Sequence, residues 1–223
     1  FNLLNLMKQI LNQNHKRRVR MKQRLFVDLD GTCAVWQPVA EEQLFEKGYY
    51  RNLPEYKNVV AAVNDIVANH PEIEVYVLSK YLTNSNYALD EKKEWVQEHL
   101  PGIDVEHQIF VPYEMDKRDM IPEQLRATDY LLDDYTKNFD NWQPPAHGIK
   151  LLNGINHTKG TWQDNRISLM REPKDLADCI VKVMSGKSKV MDAAPQERNY
   201  NIDKAIDEML RQSQMESMDF MPE

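Results

Sequence analysis

The sequence predicts an α/β fold in which a mostly parallel sheet lies between two layers of helices. Three observations support this prediction. Short apolar runs recur along the chain, segments with helically spaced apolar residues lie between them, and polar side chains follow directly where several of the runs end. Strands that alternate with helices are typical of βαβ units, and such units build parallel, three-layer sheets.

The apolar runs and the periodic segments place the elements in order along the chain. The predicted strands cover residues 22–28, 74–78, 105–111, 129–132 and 148–152. The predicted helices cover residues 56–69, 87–100 and 176–184. Val59, Val63 and Ile66 repeat at the spacing of one helix face, and Pro71 ends that helix. Pro101 ends the second helix in the same way.

The chain divides into a core with an insertion and two terminal segments. Residues 21–185 form the predicted core, and residues 34–55, which follow the first strand, form an aromatic insertion with helix-like pieces that acts as a small cap. Residues 1–20 are expected to form an extension, with Met21 as a hypothetical internal start site. Residues 186–223 are polar, with a Met-rich acidic end, and are expected to form a flexible tail.

The bulk composition narrows the classes of function. The 223 residues carry a net charge of −7, which argues against an extended nucleic-acid surface, because such binding needs a basic face. No apolar run approaches the roughly 18 residues of a membrane-spanning helix, so no membrane partner is expected. Cys33 and Cys179 cannot form a zinc cluster by themselves, and a reducing cytoplasm is the simplest location.

Acidic and hydroxyl side chains follow three of the predicted strands. Asp28 ends the first strand and Asp30 lies just beyond it, Ser79 follows the second strand, and Asp133 and Asp134 follow the fourth. Because the carboxyl ends of parallel strands meet at one edge of a sheet, these groups are expected to lie together. Four carboxylates there need a cation, and oxygen ligands suit Mg²⁺. One carboxylate can then act as a nucleophile and another as general acid and base.

A fixed cation that holds a phosphate completes this predicted site. Lys117, in the loop after the third strand, is the best-placed candidate, and Arg118 and Lys80 are its rivals. An ammonium group at this position would also balance the charge of the nucleophile.

These motifs resemble those of the haloacid dehalogenase superfamily of phosphotransferases. The matching residues, in chain order, are the run DLDGT at 28–32, Ser79, Lys117 and the run LLDD at 131–134. Within the superfamily, the aromatic insertion is similar to the cap of the 5'(3')-deoxyribonucleotidase group, and the similarity is strongest at residues 48–54. Residues 93–96 are similar to the helix that follows strand 2 in that group. The resemblance implies a Rossmann-like core with a small cap.

The resemblance also implies a phosphatase that acts through an aspartyl-phosphate. Asp28 would attack phosphorus, and Asp30 would protonate the leaving alcohol and then activate water. Ser79 and Lys117 would hold the phosphate. The magnesium ligands that it implies are an Asp28 oxygen, the Asp30 carbonyl and Asp134, with Asp133 in support.

The expected substrate is a small phosphorylated molecule, and a (deoxy)nucleoside monophosphate fits the resemblance best. Trp36, Tyr49 and Tyr50 would stack on a base or close the pocket, although packing within a small cap is the simpler role. Lys80 and Tyr135 replace the residues typical of the deoxyribonucleotidases, which leaves the nucleotide preference open. Another small phosphomonoester, a nucleic-acid end and a binding module without turnover are the alternatives. The sequence does not decide whether the chain forms a homodimer.

Overall fold

The computed structural model describes residues 22–36, 39–142, 144–155 and 162–193. The predicted extension at 1–20, Met21 and residues 194–223 of the predicted tail lie outside these ranges. No helix within the described ranges is long and apolar enough to span a membrane.

Six parallel strands form a sheet at the centre of the molecule. They are β1 (Gln23–Val27), β2 (Ile73–Tyr81), β3 (Gln108–Pro112), β4 (Asp129–Asp133), β5 (His147–Leu152) and β6 (Arg166–Ser168). Their order is β3-β2-β1-β4-β5-β6, and every neighbouring pair is parallel. The predicted α/β class with a parallel sheet is confirmed. Because the strand order reverses direction between β1 and β4, the crevice at their carboxyl ends is a topological switch point, where α/β sheets bind ligands.

Within the described ranges, the long helices cover one face of this sheet. The helices are α1 (Lys57–Asn69), α2 (Ala88–His99), α3 (Lys137–Asp140) and α4 (Pro173–Met184). The apolar residues of α1, α2 and α4 pack with Leu25 and Val27 of β1, whereas Phe26 packs on the opposite face with Phe139 and Trp142. Successive residues of β1 thus enter opposite apolar clusters, so the strand is buried on both faces. We call these the helical face and the turn-rich face.

The alternation of strands and helices is less regular than the sequence predicts. The connection from β3 to β4 contains only a 3-10 helix, Lys117–Met120, and α3 is a single turn between β4 and β5. Pro122 interrupts the first connection, which has no helical period of apolar residues, so a longer helix is not favoured there. The sequence does not predict β6, because this strand has only three residues.

β2 is longer than predicted. It continues to Tyr81, because Ser79 pairs with Phe110 and Tyr81 pairs with Pro112 on β3. Ser79 therefore lies within the strand and does not follow it, which corrects the predicted strand end. Since side chains alternate along a strand, Ser79 faces the helical side and Lys80 the turn-rich side.

The chain after α4 returns to the outer edge of β6. The N–H of Arg166 donates to the Val190 carbonyl at 2.8 Å, and the N–H of Asp192 donates to the Arg166 carbonyl at 3.0 Å. The Asp192 carboxylate accepts two hydrogen bonds from the Arg171 guanidinium, at 2.7 and 2.6 Å. This pairing lowers the pKa of Asp192. Residues up to Asp192 are therefore tied to the sheet.

Candidate active site

The loop after β1 is a compact turn that brings Asp28 and Asp30 to the switch point. The Leu29 carbonyl accepts hydrogen bonds from the N–H groups of residues 32–34 at 2.8–3.0 Å. Gly31 has a φ of +80°, and a Cβ at this position would lie 2.7 Å from Cγ of Asp134. Glycine is required here because the turn packs directly against that carboxylate in a conformation that other residues avoid.

Asp28, Asp133 and Asp134 bring three buried carboxylates together at the ends of β1 and β4. One oxygen from each lies within 4.8 Å of the others, and the exposed fractions of the residues are 6, 0 and 1%. Carboxylates buried at this separation repel one another unless cations neutralise them. The cluster can therefore hold a metal ion.

Lys117 reaches this cluster from the turn-rich face. Its Nζ lies 2.7 Å from Oδ1 of Asp28 and 2.6 Å from Oδ2 of Asp133. Burial alone would lower the pKa of Lys117, but Asp133 and Asp28 outweigh burial and raise it, so the amine is charged. The Asp133 oxygens also accept hydrogen bonds from Nδ2 of Asn138 and the N–H of Tyr135, both at 2.8 Å. Both oxygens of Asp133 are thus committed to protein donors.

Asp134 is held by the neighbouring strand and by the turn after β1. Its carboxylate accepts hydrogen bonds from Oγ1 of Thr32 at 3.3 Å and from Nδ2 of Asn153 at 2.8 Å. The buried Lys150 donates to the Asp134 carbonyl at 2.8 Å and to Oγ1 of Thr136 at 2.6 Å. Burial lowers the pKa of Lys150. These contacts orient Asp134 toward the turn that carries Asp30.

Lys92 enters the site from α2 on the helical face, and the motifs do not predict it. Its Nζ lies 2.5 Å from Oδ2 of Asp30 and 3.5 Å from Oγ of Ser79, although the residue is only 2% exposed. Lys92 precedes Trp95 and Val96 by three and four residues, so it shares their buried face of the helix. A lysine on a buried face needs a carboxylate partner, and this signal could have identified it.

Within the described residues, the predicted rivals of Lys117 form no ion pair with these acids. Lys80 donates to the Tyr113 carbonyl at 3.2 Å, and Arg118 donates to the Asn141 carbonyl at 2.8 Å. The two lysines that pair with Asp28 and Asp30 therefore come from opposite faces of the sheet, Lys92 from the helical face and Lys117 from the turn-rich face.

Glu91, next to Lys92 on α2, anchors the insertion after β1. Its Oε1 accepts a hydrogen bond from the N–H of Gly48 at 2.5 Å, and its Oε2 accepts from those of Tyr50 at 3.1 Å and Arg51 at 3.5 Å. Glu91 is buried, and Gly48 has a φ of +91° at the turn from which these three N–H groups converge on the carboxylate. Consecutive residues of α2 thus hold the insertion and the acidic turn in one arrangement.

A cleft of about 600 Å³ lies between this insertion and the acids. Asp28 and Asp30 line it, together with the three predicted aromatic residues Trp36, Tyr49 and Tyr50. The rings of Tyr49 and Tyr50 meet edge to face with their centres 4.9 Å apart. Among the described residues, the buried Tyr49 hydroxyl has no hydrogen-bond partner. The cleft is large enough for a small organic ligand and has an aromatic wall opposite polar groups.

The chain matches the family described as "5' nucleotidase, deoxy (Pyrimidine), cytosolic type C protein" over residues 2–181. The chain belongs to this family. The predicted resemblance to the deoxyribonucleotidases and their haloacid dehalogenase fold is therefore confirmed. As a 5' nucleotidase family member, the chain is a phosphomonoester hydrolase.

One solved structure similar to this 5' nucleotidase family member is the HAD domain of effector protein Lem4 from Legionella pneumophila, an inactive mutant. It is 16% identical, with a TM-score of 0.42 over 74% of this chain and 94% of that one. A similarity at this level carries no functional argument. No curated protein matches the chain in sequence.

Proposed function

We propose that the chain hydrolyses (deoxy)nucleoside monophosphates with Mg²⁺, through an aspartyl-phosphate. The observation that carries this proposal is the pairing of two acids with two buried lysines, Asp28 with Lys117 and Asp30 with Lys92, beside one cleft. Such a set can supply a nucleophile, a proton donor and two phosphate-binding cations. We place the protein in the cytoplasm, which the word cytosolic in the family description supports.

Asp28 is the proposed nucleophile, and Asp30 is the proposed general acid and base. An oxygen of Asp28 attacks phosphorus as the bond to the ester oxygen breaks, and the leaving alcohol takes a proton from Asp30. Asp30 then accepts a proton from the water that hydrolyses the aspartyl-phosphate. A phosphate that enters the site would compete with Asp30 for the Lys92 ammonium group.

The donor set of the acidic cluster fits a magnesium ion. Its side-chain donors are carboxylate oxygens, the type that Mg²⁺ prefers, and Gly31 has no Cβ to clash with Asp134. Asp28, Asp134 and the Asp30 carbonyl would hold the ion, with Asp133 in support. Within the described residues, that carbonyl accepts no hydrogen bond. When bound, the ion would offset negative charge on the phosphoryl oxygens.

The phosphate is proposed to lie between side chains from both faces of the sheet. Lys92 and Ser79 would contact it from the helical face, and Lys117 from the turn-rich face. The nucleoside would then extend along the aromatic wall formed by Trp36, Tyr49 and Tyr50. This arrangement favours an aromatic base over a bare sugar phosphate.

Replacing Lys92 by methionine is expected to lower kcat/KM for nucleoside monophosphates by about 100-fold, since removal of one preorganised charge donor typically costs this much. Phosphate release at several substrate concentrations measures the effect. The matched control is Lys93→Met, because Lys93 is exposed and pairs only with Asp90 at 3.6 Å among the described residues. An unchanged kcat/KM in Lys92→Met would show that Lys92 does not bind the phosphate and that other cations do.

Replacing Glu91 by glutamine is expected to weaken substrate binding more than turnover. The carboxylate of Glu91 accepts these hydrogen bonds with two oxygens, whereas the amide of glutamine has only one acceptor oxygen. The cap should therefore be held less tightly, while Asp28 and Asp30 stay in place. KM should rise about tenfold, with kcat within about threefold and the free energy of unfolding lowered by about 1–3 kcal/mol. Glu94→Gln, at an exposed partner of Arg51, is the control. A fall in kcat at unchanged KM would contradict the anchoring role.

The decisive test of the proposal is phosphate release by the full chain from a panel of nucleoside and deoxynucleoside monophosphates, with p-nitrophenyl phosphate for comparison. We expect release that needs Mg²⁺, stops with EDTA and is fastest for nucleotides. If the folded protein releases no phosphate from any ester, with or without Mg²⁺, the proposed enzymatic activity is wrong and a binding module without turnover is favoured. A preference for esters without a base would reject the nucleotide assignment.

A further inference from the structure

Two lysines at the mouth of the cleft have no part in the proposed reaction. Lys80 on β2 and Lys137 at the start of α3 line the same cleft as Asp28 and Asp30. Lys80 donates to the Tyr113 carbonyl and its Nζ lies 5.7 Å from the centre of the Tyr113 ring. In the part of the chain that the structure describes, neither lysine forms an ion pair with a carboxylate. Both are therefore available to an anion that enters the cleft.

The side chains that line the cleft include four lysines and three aspartates, although the chain is acidic overall. The chain has a net charge of −7. The charged residues that line the cleft are Lys80, Lys92, Lys117 and Lys137, against Asp28, Asp30 and Asp116. The two inner lysines are paired with the two inner aspartates. The Asp116 carboxylate accepts hydrogen bonds from the N–H of Arg118 at 2.9 Å and from Nδ2 of Asn141 at 2.6 Å. The positive excess therefore lies at the mouth, on the two outer lysines.

Two exposed tyrosines accompany these lysines. Tyr113 and Tyr135 line the cleft and are 61% and 41% exposed. Tyr113 lies beside Lys80, and Tyr135 is two residues before Lys137. Exposed rings interleaved with cations are the usual platform for stacked bases and phosphates of single-stranded nucleic acid.

We propose that Lys80 and Lys137 bind a second phosphate, so that the preferred substrate is a nucleotide with another phosphate on its sugar. This inference rests on the proposed function, because the reacting phosphate must lie at Asp28. A monophosphate would leave the outer lysines in water, whereas a second phosphate across the sugar would form charge-assisted hydrogen bonds with them. A free nucleoside bisphosphate and the phosphorylated end of an oligonucleotide both present this chemistry.

The test compares three substrates of the full chain in Mg²⁺: thymidine 5'-monophosphate, thymidine 3',5'-bisphosphate and a 5'-phosphorylated thymidine dinucleotide. We expect kcat/KM for at least one of the two larger substrates to exceed that for the monophosphate by about tenfold, the gain typical of one or two charge-assisted contacts. In the double variant Lys80→Ala with Lys137→Ala this ratio should fall toward one. A higher value for the dinucleotide identifies an oligonucleotide end as the source, and a higher value for the bisphosphate identifies the free nucleotide.

The control is Lys174→Ala, because Lys174 is exposed on α4 and does not line the cleft. It should leave all three kcat/KM values within about twofold. Equal values for the three substrates, or a preference that survives in the double variant, would overturn the inference while leaving the phosphatase intact. Absence of phosphate release from all three substrates would instead reject the proposed function.

Discussion

Replacing Asp28 by asparagine is expected to abolish phosphate release while the protein stays folded. The amide nitrogen and oxygen cannot attack phosphorus as a carboxylate does, and loss of a nucleophile in a comparable covalent mechanism lowers kcat by about 10⁴-fold or more. The fold should persist, because Lys117 keeps its ion pair with Asp133. Removal of one of three carboxylates whose oxygens lie within 4.8 Å of one another also relieves repulsion.

Three measurements check this expectation for Asp28→Asn. Phosphate release gives kcat, thermal unfolding gives the melting temperature, and acid-stable labelling with radioactive substrate detects the aspartyl-phosphate. We expect no label and a melting temperature equal to or above that of the unmodified chain. Asp90→Asn, at an exposed position on α2, controls for the loss of a charge. Turnover that persists in Asp28→Asn would overturn the assignment of the nucleophile.

Replacing Lys117 by methionine is expected to have the largest effect on stability. Methionine keeps an unbranched chain of similar length but leaves Asp28 and Asp133 buried without their shared cation. Loss of one partner from a buried ion pair typically lowers the free energy of unfolding by about 3–5 kcal/mol. Phosphate release should fall together with it, because the same amine is proposed to hold the phosphate.

Urea unfolding with and without Mg²⁺ distinguishes this electrostatic cause from a packing defect. If the acids lack a cation, Mg²⁺ should stabilise Lys117→Met more than it stabilises the unmodified chain. Arg118→Met is the control, because Arg118 is the next residue and its exposed side chain donates only to the Asn141 carbonyl within the described structure. A loss below about 1 kcal/mol in Lys117→Met would show that the acids do not depend on this lysine.

The positions of the acids could be predicted because they depend on local sequence and on parallel topology alone. Asp28 and Asp134 each lie at or just after the end of an apolar run, and the β1 and β4 strands pair in parallel register. Once the strands are parallel, their carboxyl ends must share one edge. The turn-rich face was not predictable in this way, because its short elements lack a periodic pattern.

The cations were harder to predict because a lysine can extend in many directions from its backbone. Lys80, Lys92 and Lys117 all lie between the first motif, at 28–32, and the last, at 131–134. Alternation along β2 directs Lys80 to the mouth of the cleft, and the docking of α2 directs Lys92 to Asp30. Spacing in the chain predicts the face on which each lysine lies but not the group that it meets, because the latter depends on how an element packs against its neighbours.

The sequence by itself therefore determined the parallel sheet and the acids Asp28, Asp30 and Asp134 at the edge where we propose that the substrate binds. The tertiary structure decided which lysine meets which acid, how Glu91 anchors the cap, and that the cleft mouth retains positive charge. The physical reason is the range of the interactions. Strand pairing follows from a short repeating pattern, whereas a buried ion pair forms only where packing brings two distant side chains together.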